Sequence, residues 1–408
     1  MATAAPKIVL DVSLTLNLRG QIVSGIPRVE ENFAEALMRR TDIDAAFCRY
    51  RSRHNAFQYV PAHVVREVLQ QPRVKPSPYW PPHKQTMFRR FGKAIERGWR
   101  RHLFPPSNLV VWSPKRIYIS VGAWWNVTYD EPLRFMFDRS RCRKVLMCHD
   151  AIPALFPDYF EDRDAESRFR GGLKLLSTAD LALCNSQITR RDLLSALADS
   201  GTPCPPTKVV PLPPGISPES TKPALPPGMP DGDFVLAVGS ISQRKNQIML
   251  CDVWSRFGDE PALAGFKLVM AGSWGDHSAA VRERLQRDSK LAQRVIVRND
   301  ITDGELAWLY RNCRFSVYPS FYEGWGLPIS ESLSFGKLCI ASDTSAMPEA
   351  GQGLCVHHSP GDPESWYRTI RDLLLNPSRL EMYEKEIASR YRTASWDDII
   401  DQILNSVR

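Results

Sequence analysis

The chain lacks the marks of several protein classes. No run of about 18 uninterrupted apolar residues occurs in its 408 residues, so it offers no candidate membrane-spanning helix. Its first thirty residues never combine a basic start with a long apolar core, and no secretory signal is expected. No C-x-x-C pair exists. The nine cysteines, at 48, 142, 148, 184, 204, 251, 313, 339 and 355, are odd in number and scattered, which speaks against a disulfide framework or a zinc site. A reducing cytoplasm is the expected compartment. What the chain does have is the balance of a globular protein, 43% hydrophobic and 24% charged, which excludes the disordered and fibrous classes. Its formal net charge of +8 calls for an anionic partner, and charge alone does not choose among nucleic acid, an acidic membrane face and a phosphorylated substrate.

A length of 408 residues suggests two domains of about 200 residues each. Apolar runs such as KIVLDVSL, RIYISVG, RKVLMCHDAI and DLALCNS, then DFVLAVGS, FKLVMAGS, RVIVRND, FSVYPS, LCIASD and LCVHHS, alternate with amphipathic stretches such as VEENFAEALMRR and DPESWYRTIRDLLL. That alternation predicts parallel sheets covered by helices, an α/β chain with one doubly wound domain in each half. Between the halves lies PLPPGISPESTKPALPPGMPDGD, residues 211–233, with eight prolines in its first twenty residues, so neither a helix nor a central strand can continue through it. The boundary is expected near residues 220–230.

Ligands of open parallel sheets sit beyond the carboxyl ends of the strands, and four loops there carry suggestive chemistry. The first is LRGQIVSGIPRVEENFAEAL, where Gly25 precedes a helix start and would let backbone approach a phosphate. In the second, His149 and Asp150 end the strand RKVLMCHD, placed to donate to a sugar hydroxyl and to shape the local charge. The third, LAVGSISQRKNQ, sets Arg244 and Lys245 beside the turn at Gly239, which suits a diphosphate, although the spacing is not that of a Walker A loop. The fourth, SFYEGWGLPISESLSFG, places Glu323 in a loop and Glu331 in what reads as the first turn of a helix entered through Pro328. Carboxylates suit vicinal diols such as those of a ribose or a hexose.

Together E-G-W-G-L-P-I-S-E, V-G-S-I-S-Q-R-K-N, S-G-I-P-R, H-D-A-I-P, N-S-Q-I-T-R-R-D-L and the terminal S-W-D-D-I resemble, in order and spacing, the retaining glycosyltransferases of the GT-B fold, family 4 (glycosyl transferases group 1). The resemblance implies two Rossmann-like domains facing a central cleft. An acceptor-binding domain would span residues 1–220 and a nucleotide-sugar-binding domain 221–392, with a last helix over about 393–408 packed back on the first. It implies that Glu331 binds the donor ribose and that Glu323, Gly324, Trp325, Gly326 and Leu327 hold the transferred sugar. Gly25, Gly239, Ser240, Arg244 and Lys245 would surround the donor diphosphate. His149, Asp150 and Glu323 would act at the reacting carbon. Neither a metal nor another cofactor is implied, since cations of the protein would stabilise the leaving nucleotide. Family members commonly carry an arginine where this chain has Ser240, so Arg244 would supply the second positive charge. They also carry a glycine where the chain reads RNDIT, which bears on base recognition near Arg298 to Ile301.

The implied activity is transfer of a hexose or deoxyhexose, mannose-type within the family and from a GDP-linked donor, to a saccharide or lipid-linked saccharide during bacterial surface-polysaccharide assembly. One stretch goes beyond that scaffold. In KQTMFRRFGKAIERGWRRHLF, residues 84–104, a helical period of about 100° puts Phe88, Phe91, Ile95, Trp99 and Leu103 opposite Arg89, Arg90, Lys93, Arg97, Arg100 and Arg101. This helix fits an anionic membrane surface, as on the inner face of the cytoplasmic membrane, and equally a helix packed on its own domain. Two competing readings are a GT-B sugar-nucleotide epimerase and a non-enzymatic membrane or nucleic-acid binding protein. Paired carboxylates serve a nucleic-acid groove poorly, so no nucleic acid is expected as partner.

Overall fold

The computed structural model describes residues 7–21, 23, 25–71, 108–229 and 233–407. The basic stretch 84–104, with its proposed membrane-facing side chains, lies outside the described residues. Among those described, no helix is long and apolar enough to cross a membrane.

Among the described residues thirteen strands form two sheets. The first comprises β1 (Lys7–Asp11), β2 (Ala45–Arg51), β3 (Ala56–Val60), β4 (Arg116–Ser120), β5 (Arg143–Cys148), β6 (Leu181–Cys184) and β7 (Thr207–Val209), in the order β3-β2-β1-β4-β5-β6-β7. Among these described strands β2 and β3 pair antiparallel and the other pairs are parallel. The second comprises β8 (Phe234–Val238), β9 (Lys267–Ala271), β10 (Val295–Arg298), β11 (Ser316–Tyr318), β12 (Cys339–Ser342) and β13 (Val356–His358), in the order β10-β9-β8-β11-β12-β13, all parallel. Helices cover both faces of parallel sheets, so central strands such as FVLAV are apolar without alternation. Trp254 and Trp366 are fully buried in one core, Trp124, Phe137 and Phe169 in the other.

In each sheet the strand order reverses beside its first strand, between β1 and β4 and between β8 and β11. A crevice opens at such a switch point, beyond the carboxyl ends of the strands. Residues 211–229 run between the sheets, tied by Asn32 Nδ2 donating to Gly215 O (2.8 Å) and by Ala224 N donating to Gly304 O (2.9 Å). The last helix, Trp396–Val407, returns to the first domain, where Ile399, Ile400 and Ile403 are buried. Arg40 reaches Asp401 at 2.8 Å, and Lys208 Nζ donates to Gln402 O at 3.1 Å.

Candidate active site

A cavity of about 380 Å³ between the domains is lined by residues of all four loops: Gly25, His149, Asp150, Gly239, Ser240, Arg244, Lys245, the run Glu323 to Pro328, and Glu331. The domains meet tightly there. Ser186 Oγ and Thr189 Oγ1 donate to Gly324 O at 2.8 and 3.0 Å, and a Cβ on Gly324 would collide with His149 O. Glu349 accepts from Gln187 N (2.8 Å) and Ile188 N (3.1 Å), capping a helix of the opposite domain.

The third loop follows β8. Gly239 takes a φ of 136°, open to glycine, and Lys245 packs over it. Its backbone also lies against Gly272, where any Cβ would strike Gly239 O. A single turn of 3-10 helix, Gln243–Lys245, then presents both cations to the cavity. Arg244 Nη1 and Lys245 Nζ approach Glu323 Oε1 at 2.8 and 2.6 Å, and Lys245 also donates to Tyr318 Oη at 2.5 Å. Burial pushes the Glu323 carboxyl up, but Arg244 and Lys245 outweigh it and hold it at about 2. Burial lowers the Lys245 ammonium to about 8 despite Glu323. The cluster is thus ionised and largely shielded from solvent, as charge stabilisation of a leaving anion requires.

Glu331 sits deeper than the sequence suggested. Its helix is Leu327–Ser334, capped by Gly326 at φ 120°, so Glu331 is the fifth residue and belongs to the second turn. Pro328 is compatible with the helix start, but the glycine's φ sets it. Tyr310 Oη donates to Glu331 Oε2 (2.9 Å), and Arg28 Nη1 of the other domain lies 3.4 Å from Oε1. Arg28 also forms a close ion pair with Asp303 and donates to Val23 O at 3.0 Å. Burial raises the Glu331 carboxyl against the pull of Arg28.

His149 Nε2 lies 2.7 Å from Val121 O, an acceptor only, so Nε2 carries the proton. Burial lowers the imidazole to about 4. A neutral ring whose N–H is already spent offers Nδ1 as an acceptor. His149 would therefore receive a hydrogen bond from a sugar hydroxyl, where the sequence reading had it donating. The Asp150 carboxyl is raised by burial, opposed by Arg244.

Sequence reasoning missed Arg28, Asn185, Tyr318, Gly272 and Ser273, all of which line the cavity. Gly272 and Ser273 follow β9 as the chosen loops follow their strands, a signal that was available. Arg298 does not line the cavity and turns to Asp300 (3.5 Å) and Pro227 O, whereas Asn299 and Ile301 do line it. Among the described residues no group of three or more His, Cys, Asp or Glu is placed to hold a metal ion.

Residues 232–376 match the family described as Glycosyl transferases group 1. The O-antigen chain mannosyltransferase B of Escherichia coli is 25% identical over 175 residues, 43% of this chain and 45% of that protein. The chain thus spans less than half the length of the O-antigen relatives it matches first. Sucrose-phosphate synthase from Thermosynechococcus elongatus superposes with a TM-score of 0.64 at 16% identity, covering 98% of this chain and 99% of that one. Anabaena HepE in complex with UDP-glucose superposes with a TM-score of 0.60 at 14% identity, covering 98% and 100%. With two switch-point crevices meeting in one cleft, the chain has the GT-B fold, and its residues 232–376 are similar to glycosyl transferases group 1.

Proposed function

We propose that the protein is a glycosyltransferase of surface-polysaccharide assembly, moving a hexosyl group of mannose type from a nucleotide sugar to a saccharide. The observation that carries this reading is the Arg244–Lys245–Glu323 cluster, two buried cations and a carboxylate converging on the cavity beside Gly239. The cations suit a diphosphate, so metal is not required to neutralise the leaving group. Glu331 suits the ribose diol and Glu323 the hydroxyls of the transferred sugar. The helix Ile26–Arg39, entered through Gly25 at φ 61°, begins at the same cavity, where its positive end suits an anion. In this reading transfer proceeds on one face, without a carboxylate nucleophile. The bond from the anomeric carbon to the diphosphate breaks as that to the acceptor oxygen forms, and the acceptor's proton passes to the departing phosphate oxygen. The relatives' names favour mannose, and GDP is the donor base proposed.

Thermal-shift screening with GDP, UDP, dTDP and ADP tests the reading, because a ligand bound only by the folded state raises the melting temperature. A rise with one nucleotide, lost in Lys245→Ala, is expected. No rise with any of the four would overturn it, and an inverted anomeric centre in the product's NMR spectrum would overturn the one-face mechanism.

A further inference from the structure

Arg28 belongs to the first domain, yet its guanidinium is committed to the second. It is the third residue of the helix Ile26–Arg39, and its side chain is 7% exposed. Nη2 donates to Val23 O at 3.0 Å and forms the close ion pair with Asp303, while Nη1 lies 3.4 Å from Glu331 Oε1. The connection between the domains is moulded to this contact, since a Cβ on Gly215 would lie 2.5 Å from Arg28 Cδ and 2.7 Å from Glu331 Oε1. Both Arg28 and Glu331 line the interdomain cavity.

The pair is not saturated. Val23 O and Asp303 take the two hydrogens of Nη2, and Glu331 takes one of Nη1. The second hydrogen of Nη1 remains, as does Nε, which is buried and has no hydrogen-bond partner among the described residues. On the carboxylate, Tyr310 Oη occupies Oε2 and Arg28 occupies Oε1, which leaves roughly two of its four acceptor positions for incoming hydroxyls. A ribose diol matches both remainders, because each hydroxyl can donate to the carboxylate while its oxygen accepts from the guanidinium. A buried N–H without a partner costs free energy that such an oxygen would recover. A 2′-deoxyribose brings one hydroxyl fewer and leaves a buried polar group unpaired, the condition under which a site discriminates most strongly.

We propose that Arg28 is a specificity-determining residue of the nucleotide site, donating from the first domain to the ribose hydroxyl oxygens beside Glu331, so that ribonucleoside diphosphates bind in preference to their 2′-deoxy forms. The inference rests on the transferase reading, which puts the ribose at Glu331. Isothermal titration of the full chain with GDP, UDP and ADP, each beside its 2′-deoxy counterpart, and with pyrophosphate tests it. The nucleotide that binds should do so at least about ten-fold more tightly than its deoxy form, as expected for a hydrogen bond to a charged group. Arg28→Lys keeps the charge beside Asp303 and Glu331 but loses Nε and the planar fork, so there the margin should shrink to about two-fold while affinity for pyrophosphate is unchanged. Asp303→Asn loosens the anchor of Arg28 and leaves the residue in place. It should narrow the margin in the same direction, and it decides the matter should Arg28→Lys not fold. Equal affinity of wild type for a ribonucleotide and its deoxy form overturns the proposal, as does a margin undiminished in the folded variant. A loss of affinity shared equally by both nucleotides and pyrophosphate assigns Arg28 to the diphosphate and overturns it too. If wild type binds no nucleotide, the transferase reading fails. If it binds nucleotide without preferring the ribose, only this inference fails.

Discussion

Replacing Glu323 by Gln should destabilise the empty protein and, at the same time, enlarge its response to nucleotide. In the intact cluster the carboxyl falls from 4.5 to about 2 while the ammonium of Lys245 falls from 10.5 to about 8. Each displacement is worth about 3 kcal/mol and they oppose one another, because the carboxylate gains from its cations roughly what the ammonium loses to burial. The ionised cluster therefore contributes little net stability, as is common for buried ion pairs. Removing the carboxylate alone is different. Arg244 and Lys245 contact Glu323 at 2.8 and 2.6 Å in a site where Glu323 is only 8% exposed, and both cations would lose their contacting carboxylate, with Asp150 left as the nearby acid. The cost is about 3–5 kcal/mol, and at about 3 °C per kcal/mol the melting temperature should fall by roughly 10 °C. A diphosphate restores the missing negative charge, so saturating nucleotide should raise the melting temperature of the Gln variant by more than that of wild type, although transfer is lost. Differential scanning fluorimetry at pH 7 with and without nucleotide measures both. An empty variant as stable as wild type, or a nucleotide-induced rise no greater than wild type's, would refute the reasoning.

Gly215→Ala should cost about 1–3 kcal/mol in urea unfolding by overpacking, since its Cβ would lie 2.5 Å from Arg28 Cδ and 2.7 Å from Glu331 Oε1. Gly25→Ala meets no atom within 4 Å and should cost only the backbone strain of φ 61° with ψ −130°, about 1–3 kcal/mol. His149, held at about 4 against an ordinary 6.5, contributes stability that is complete above 6.5 and lost as pH falls toward 4, so His149→Asn should flatten the pH dependence of unfolding in that window. Glu30 runs the other way. Raised from 4.5 to about 8 by burial and then by the charge of Asp11, it contributes stability that is complete below 4.5 and lost as pH rises through 8, and Glu30→Gln should remove that alkaline decline. Arg28→Ala leaves Glu331 and Asp303 without their cation and should destabilise by about 3 kcal/mol, read by the same melts.

The fold was legible because parallel strands buried on both faces leave unbroken apolar runs such as VLAV and LVMA, and because the prolines of 211–230 interrupt them once. The four loops were legible for a related reason, since carboxyl ends of strands are where open sheets place ligands. Arg28 was not. On an amphipathic helix an arginine reads as solvated, and only docking of the second domain turns it into the buried partner of Glu331. Asp11 and Glu30 escaped likewise, because they lie on a strand and a helix that the sequence gives no reason to juxtapose. The tautomer of His149 depends on Val121 O, a backbone atom without sequence identity. Glu331 moves one position along its helix, from fourth residue to fifth and so into the second turn, because Gly326, rather than Pro328, governs where the helix begins.

Because the chain passes from the first domain to the second at 211–229 and returns at the helix Trp396–Val407, the two halves are joined by two separate tethers. A body held at two points can swing only about the line through them, so relative motion of the halves reduces to a hinge with one degree of freedom. Opening and shutting of the cleft would then follow a single arc, along which the Arg28–Glu331 and Glu349–Gln187 contacts part together. Cutting one tether would free the halves to twist without separating them, leaving a nicked protein of unchanged mass by native gel filtration.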